Sequence, residues 1–334
     1  VIGEYDSAEI CLQKYREAIP ENIEPLLLLA ELYMETSRFE QAAEILDKSE
    51  LLKPKHISAL IHRSILSQRI GDFADAERLL FQALHFANSR IDSAAVYYQM
   101  SSLYYRQGRL TEALEAIINN EKMSADDLTP YRLLMNKIQH IELFVWLKED
   151  IVALEIIERL KRLWSAAGDL FLFAELNYAL AKKDPTLLEI SIAQIENSTL
   201  SELFGITLEN NLEYARGQLE ELRDKPQMAL RHYKNAAKDP RMWQEVNIAI
   251  GRCFRKNADF RLAEKEFTKV LRRYPASPEA HFELSKLYWD WNKHEKAMNH
   301  MEIATGIWYK ADKHHPLAKE AAGLYRQWKI MSML

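Results

Sequence analysis

An alanine returns along this chain at Ala8, Ala42, Ala76, Ala113, Ala153, Ala193, Ala229, Ala263 and Ala297, with gaps of 34, 34, 37, 40, 40, 36, 34 and 34 residues. Few folds tolerate such a return. A unit this short cannot bury a core by itself and must stack on its neighbours. The stretch SRFEQAAEIL from Ser37 reappears as GDFADAERLL from Gly71 and GRLTEALEAI from Gly108. Each has a turn, then an aromatic or Leu, a small residue three places on and a large apolar residue four further, which is helical spacing. The small residue lets two helices of one hairpin approach closely, where a larger side chain would hold them apart.

A first helix precedes each of these second helices. Its small position is Ala30, Ser64, Ser101, Gly217, Gly251 and Ser285, with a bulky residue three later at Tyr33, Tyr104, Phe254 and Tyr288. Pro20, Pro54 and Pro275 share one repeat position, with Pro240 one place earlier, where a second helix must stop. Gly3, Gly71 and Gly108 share the turn position, and Gly217 and Gly251 the position of close approach. Only nine glycines occur in 334 residues, and those five are accounted for by packing, so no glycine cluster is left to cradle a phosphate.

These residues resemble the tetratricopeptide repeat, a helix-turn-helix unit of 34 residues with small, aromatic, Ala and Pro at these offsets. The resemblance implies an all-α fold, a right-handed superhelical α-solenoid of helical hairpins. The register predicts a single solenoid over 1–334: a partial repeat at 1–22, three regular repeats at 23–127, divergent hairpins at 128–209, three regular repeats at 210–311, and a capping helix at 312–334. Within the divergent part, Ile151–Leu163 and Pro185–Asn197 read as amphipathic second helices. The cap carries Leu317, Ala321, Leu324, Tyr325 and Trp328 at helical spacing behind Pro316. The chain reads as a fragment that begins inside a repeat. A pentatricopeptide array, which reads RNA, would carry a Met and a Gly before its closing Pro, and no copy does.

The resemblance places function on the concave wall lined by the first helices, at the second, fifth, ninth, twelfth and thirteenth positions of each repeat. Those positions make Tyr98, Tyr105, Tyr214, Arg252, Arg255, Phe282 and Trp289 the expected partner-binding groove, because aromatic and Arg side chains carry most interface energy. The positions that clamp a chaperone tail's carboxylate in some family members hold Leu27, Glu31, His62, Ala95 and Gln99, and later Tyr214, Gln218, Ala249, Glu279 and Glu283, which cannot do so. The basic run Arg252, Arg255, Lys256, Arg261, Lys265, Lys269, Arg272 and Arg273 offers an acidic partner segment a place to dock, but its second-helix members read mainly as a solvated face.

A protein or peptide partner is therefore expected, and no enzyme: HExxH, GxSxG, GxGxxG and Walker patterns are absent. Net charge of −5 argues against nucleic acid as the principal ligand. No apolar run approaches the roughly 18 residues of a membrane helix, so no membrane insertion is expected. No cofactor or metal is expected: His294, His300, His314 and His315 lack the three-to-four spacing of helical ligands, and Cys11 and Cys253 read as buried thiols. The compartment stays open, with cytoplasm slightly favoured over periplasm. Two alternatives to a binding scaffold are an accessory domain of an enzyme whose catalytic part precedes Val1, and a self-associating array that forms a homo-oligomer through its terminal repeats.

Overall fold

The computed structural model describes residues 2–124, 140–164, 169, 171–198, 200–238 and 242–332, and every regular element in them is a helix. After Ile2–Ala18, the helices pair in sequence as antiparallel hairpins. Glu24–Glu35 pairs with Phe39–Leu52, Ile57–Ile70 with Phe73–Phe86, and Arg90–Arg106 with Leu110–Ser124. A helical run at 140–146 precedes Asp150–Trp164, and Leu172–Lys182 precedes Pro185–Glu196. Leu200–Leu222 then pairs with Pro226–Ala236, Trp243–Lys256 with Phe260–Arg273, and Pro278–Asp290 with His294–Ile307. A 3-10 turn at Trp308–Lys310 leads to the last helix, Pro316–Met331.

The backbone repeats more faithfully than the side chains do. Each hairpin turns on one residue in the left-handed region: Ser37, Gly71, Gly108, Lys148, Lys183, Asp224, Ala258 and Asn292. In seven of these turns the next amide reaches back five residues, as Asp72 N to Ser67 O (2.8 Å), Glu149 N to Phe144 O (2.8 Å) and Asp259 N to Phe254 O (2.9 Å) do. This closure satisfies the last carbonyls of the first helix and aims the chain back along it. Five residues after each turn comes the fully buried small position: Ala42, Ala76, Ala113, Ala153, Ala229, Ala263 and Ala297 are all 0% exposed.

That rule corrects two sequence expectations. In the fifth hairpin the residue five places after Lys183 is Leu188, which is fully buried, while Ala193 is exposed. The larger Leu faces a first helix lined by Ala174 and Ala179, so the small partner stands on the opposite side of the contact. Gly3 lies inside the helix Ile2–Ala18 instead of in a turn. The closing prolines hold their places at Pro20 and Pro54, just after helices end; Pro240 lies outside the described residues.

Close approach is most severe at two glycines. A Cβ on Gly217 would stand 2.5 Å from the Tyr233 ring, and one on Gly251 would stand 2.4 Å from Phe267. Tyr233 and Phe267, both 0% exposed, are the bulk that fills each notch.

The chain divides into two compact units. Unit 1 comprises Val1–Gln107, Glu115–Asp127 and Leu271–Ser277. Its core contains Leu26, Leu29, Tyr33, Met34, Ala42 and Leu46, with Tyr5, Ala8 and Leu12 of the first helix packed on it. Each buried Leu contributes about 1.5–3 kcal/mol. The segment Leu271–Ser277, a helix end and the loop after it, lies on the second hairpin, where Ala276 N donates to Arg69 O at 3.2 Å.

Unit 2 comprises Gly108–Leu114, Leu128–Val270 and Pro278–Leu334. One cluster of its core includes Ile141, Ala153, Leu172, Leu188, Leu212 and Leu219, and another is built from Ala229, Tyr233, Val246, Ala249 and Cys253. Asp312 fastens a loop here: its amide donates to Gly108 O (2.9 Å), while its carboxylate accepts from Thr111 N (3.0 Å) and Thr111 Oγ1 (3.1 Å). Only glycine fits at 108, since φ is +71° and a Cβ would lie 2.8 Å from that of Ala311.

Candidate partner-binding face

In unit 2 the expected groove residues are occupied by one another. Arg252 sends Nε (3.2 Å) and Nη2 (2.8 Å) to the two oxygens of Glu221, and the Tyr233 hydroxyl donates to the same carboxylate at 2.6 Å. Burial pushes the Glu221 carboxyl upward, but the Arg252 charge and these hydrogen bonds outweigh it and hold the group below its ordinary value. Tyr214 packs 5.6 Å from Tyr233, and its hydroxyl accepts from Gln218 at 3.0 Å. Burial raises that phenol to about 12.

The next helices continue the pattern. Arg255 donates through Nη1 to Asp290 (2.7 Å) and faces Glu283 Oε2 from Nε at 3.7 Å. Lys286 bonds the other Glu283 oxygen at 2.9 Å and lies 3.4 Å from Glu320 of the last helix. Cations and carboxylates thus alternate across four helices, every second one in chain order, from Glu221 through Arg252, Glu283 and Lys286 to Glu320. Breaking such a pair leaves a poorly solvated charge, so these groups are not free to grip a partner.

Two aromatics expected on the wall are removed from it. Phe282 is 0% exposed; its ring is enclosed by Trp308 at 6.0 Å and the Lys286 ammonium at 4.3 Å. Trp289 is stacked on Trp328 of Pro316–Met331, with centroids 4.2 Å apart and planes within 3°. His294 closes its other side at 4.4 Å. A helix laid over the last hairpin must cover that hairpin's apolar positions, and Trp289 is one of them.

Unit 1 differs. Tyr98 is 56% exposed, and Tyr105, two turns along the same helical stripe, is half-buried. Beside this stripe sits a basic cluster that the sequence reading did not single out. Arg69, Arg106 and Arg273 lie 4.6, 5.7 and 5.6 Å from the Tyr274 ring. Glu35 pairs with both Arg69 and Arg273, and Arg69 also donates to Met34 O and Arg273 O. Burial pulls the Arg69 guanidinium below its usual value. Glu35, Arg69 and Arg106 are the thirteenth residues of three consecutive repeats, a column in which the signal was present.

The remaining candidates fall into packing. His300 Nδ1 stands 2.8 Å from His281 Nδ1, and His315 caps the last helix by accepting from Ala318 N at 3.0 Å. Burial lowers both His300 and His315 to about 4. Cys253 is buried as expected, but Cys11 is exposed. In the basic run, Arg261, Lys265 and Arg272 are exposed, while Lys256 pairs with Asp224 and Arg273 with Glu35. Among the described residues no three His, Cys, Asp or Glu are grouped to hold a metal, and no helix is long and apolar enough to cross a membrane.

Paired helices joined by left-handed turns, with small residues at each close contact, define an all-α repeat protein. The chain carries tetratricopeptide-repeat sequence: residues 248–307 match the family model described as tetratricopeptide repeat, and residues 2–83 match that of anaphase-promoting complex, cyclosome, subunit 3. No curated protein matches the chain. Similar solved structures include yeast Tom70 (16% identity, 99% of this chain and 86% of that one, TM-score 0.40). A Rap protein complexed with competence and sporulation factor is 10% identical (92% and 98%, TM-score 0.46). YrrB, a TPR protein with an unusual peptide-binding site, is 14% identical (83% and 97%, TM-score 0.29).

Proposed function

We propose that this protein is an interaction scaffold that holds a peptide segment of a partner protein on the first-helix face of unit 1, with Tyr98 and Tyr105 as anchors. The observation that carries this reading is the 56% exposure of Tyr98 at a groove position of the repeat. Large aromatics left in water on a rigid helical surface favour a partner, because docking removes apolar area at little cost in side-chain entropy. The corresponding aromatics of unit 2 are covered by Trp308 and Trp328, which argues for unit 1 as the receiving face. The repeat architecture supports an interaction scaffold.

The test is comparative capture. The purified chain should retain its partner from a native extract, and Tyr98→Ala with Tyr105→Ala should lose it with helicity unchanged by circular dichroism. Trp289→Ala should capture the same protein as the unaltered chain. Equal capture by the double variant would refute the assignment to unit 1.

A further inference from the structure

The chemistry of that partner is constrained by the cluster around Tyr274. We infer that the face carrying Tyr98 and Tyr105 accepts an acidic peptide segment, whose carboxylate is received by Arg106; this rests on the scaffold reading above.

Three guanidinium groups converge on one phenol, and the carboxylate that touches them, Glu35, is shared by two, Arg69 and Arg273. Arg69 is further committed to the carbonyls of Met34 and Arg273. Arg106 is half-buried and has no carboxylate partner among the described residues. Its own helix offers none: the residues three and four places before it are Leu103 and Ser102, and Arg106 is the last residue of that helix. Arg106 is thus a half-desolvated cation beside two other guanidinium groups, with no carboxylate of its own among the described residues, in a chain whose net charge is −5. Electrostatic complementarity then favours an anionic group at Arg106.

The neighbouring surface selects a peptide over a free anion. Tyr98 and Tyr105 share one stripe of Arg90–Arg106, Tyr98 on the outside and Tyr105 half-covered, and the stripe ends beside Arg106. An apolar side chain against Tyr98 and a carboxylate on Arg106 would be a little over two helical turns apart, about 12 Å along the helix, within the span of a few extended peptide residues. The planar guanidinium can take both carboxylate oxygens while the Tyr274 ring supports its other side. This seat differs from the family's carboxylate clamp, whose positions hold Leu27, Glu31, His62, Ala95 and Gln99 here.

The experiment measures fluorescence anisotropy of a labelled decapeptide alternating Glu and Leu, beside the same peptide with Lys for Glu. The acidic peptide should bind the unaltered protein more tightly, and more weakly as salt rises. Arg106→Glu should raise its Kd about tenfold or more, and Arg106→Lys by less. Should Arg106→Glu lose helicity, Arg106→Gln takes its place and should still raise the Kd. Equal binding of the Lys peptide, a Kd unmoved by the Arg106 variants, or saturation by inorganic phosphate without peptide binding would each overturn the inference. If the Lys peptide binds and Tyr98→Ala weakens it, the scaffold reading stands while the acidic partner falls. If neither peptide binds and capture survives the tyrosine substitutions, both fail.

Discussion

Tyr98 in unit 1 and Trp289 in unit 2 were both expected on the groove wall, yet one faces water and the other is stacked on Trp328. The same contrast holds for charge. Arg252 is bound through two nitrogens to Glu221, whereas Arg106 has an aromatic ring for company and no carboxylate among the described residues. Similar side chains thus meet different surroundings, tying neighbouring helices together in one unit and staying partly exposed in the other. What decides between the two outcomes is the neighbour supplied by the next helix, which a list of groove positions does not contain.

The comparison is broken most directly at Glu221. Glu221→Ala strands the Arg252 guanidinium and should destabilise by about 3 kcal/mol, whereas Tyr98→Ala should stay within about 0.5 kcal/mol. All seven tryptophans lie in unit 2, so urea unfolding followed by tryptophan emission reads that unit, while circular dichroism reads the whole chain. A Glu221→Ala midpoint equal to that of the unaltered protein would erase the distinction between the faces.

Glycines sharpen the contrast within unit 2 itself. Gly251→Ala would press a methyl group into the Phe267 ring and should cost about 1–3 kcal/mol. Gly306→Ala meets nothing within 4 Å and should gain about 0.5–1 kcal/mol from helix propensity. A gain at position 251 in the same urea titration would mean that the hairpin is more loosely packed than described.

Protonation gives the gentlest probe. His300 and His315 are held neutral by burial, with folded values of about 4 against an ordinary 6.5. Their contribution is complete above pH 6.5 and is lost as pH falls from 6.5 towards 4, because the unfolded chain takes up those protons first. Tryptophan-detected stability should decline through that window, and His300→Gln together with His315→Asn should flatten the decline. A slope unchanged by the double substitution would place the titrating groups elsewhere. Unit 1 holds a depressed histidine of its own in His56, so the whole-chain signal should weaken in the same direction.

The fold was legible because packing leaves a periodic mark. Alanines with fixed gaps, a bulky residue opposite each small one and glycines at Gly71, Gly108, Gly217 and Gly251 all report local contacts between adjacent helices. Where two contacting residues exchange sizes the mark fails, and Leu188 therefore took the place expected of Ala193. The binding face was less readable for a different reason. Exposure depends on what covers a residue from farther along the chain: nothing near Phe282 announced Trp308, and the capping helix with its Trp328 was expected without the residue it would cover, Trp289. Arg69 and Arg106 were within reach of the register, in its thirteenth column, but their convergence on Tyr274 joins residues about 200 positions apart.

The left-handed turn residues have a bearing on how this molecule could evolve or be improved. Six of the eight are not glycine, and Ser37, Lys148, Lys183, Asp224, Ala258 and Asn292 each bear a side chain in a conformation that disfavours one. Glycine at Ala258 should relieve about 1 kcal/mol, with somewhat less at Asn292, which tolerates that geometry. Since these sites are far apart, their effects should sum, so the chain carries a reserve of robustness that mutation can draw on without altering any surface a partner would touch.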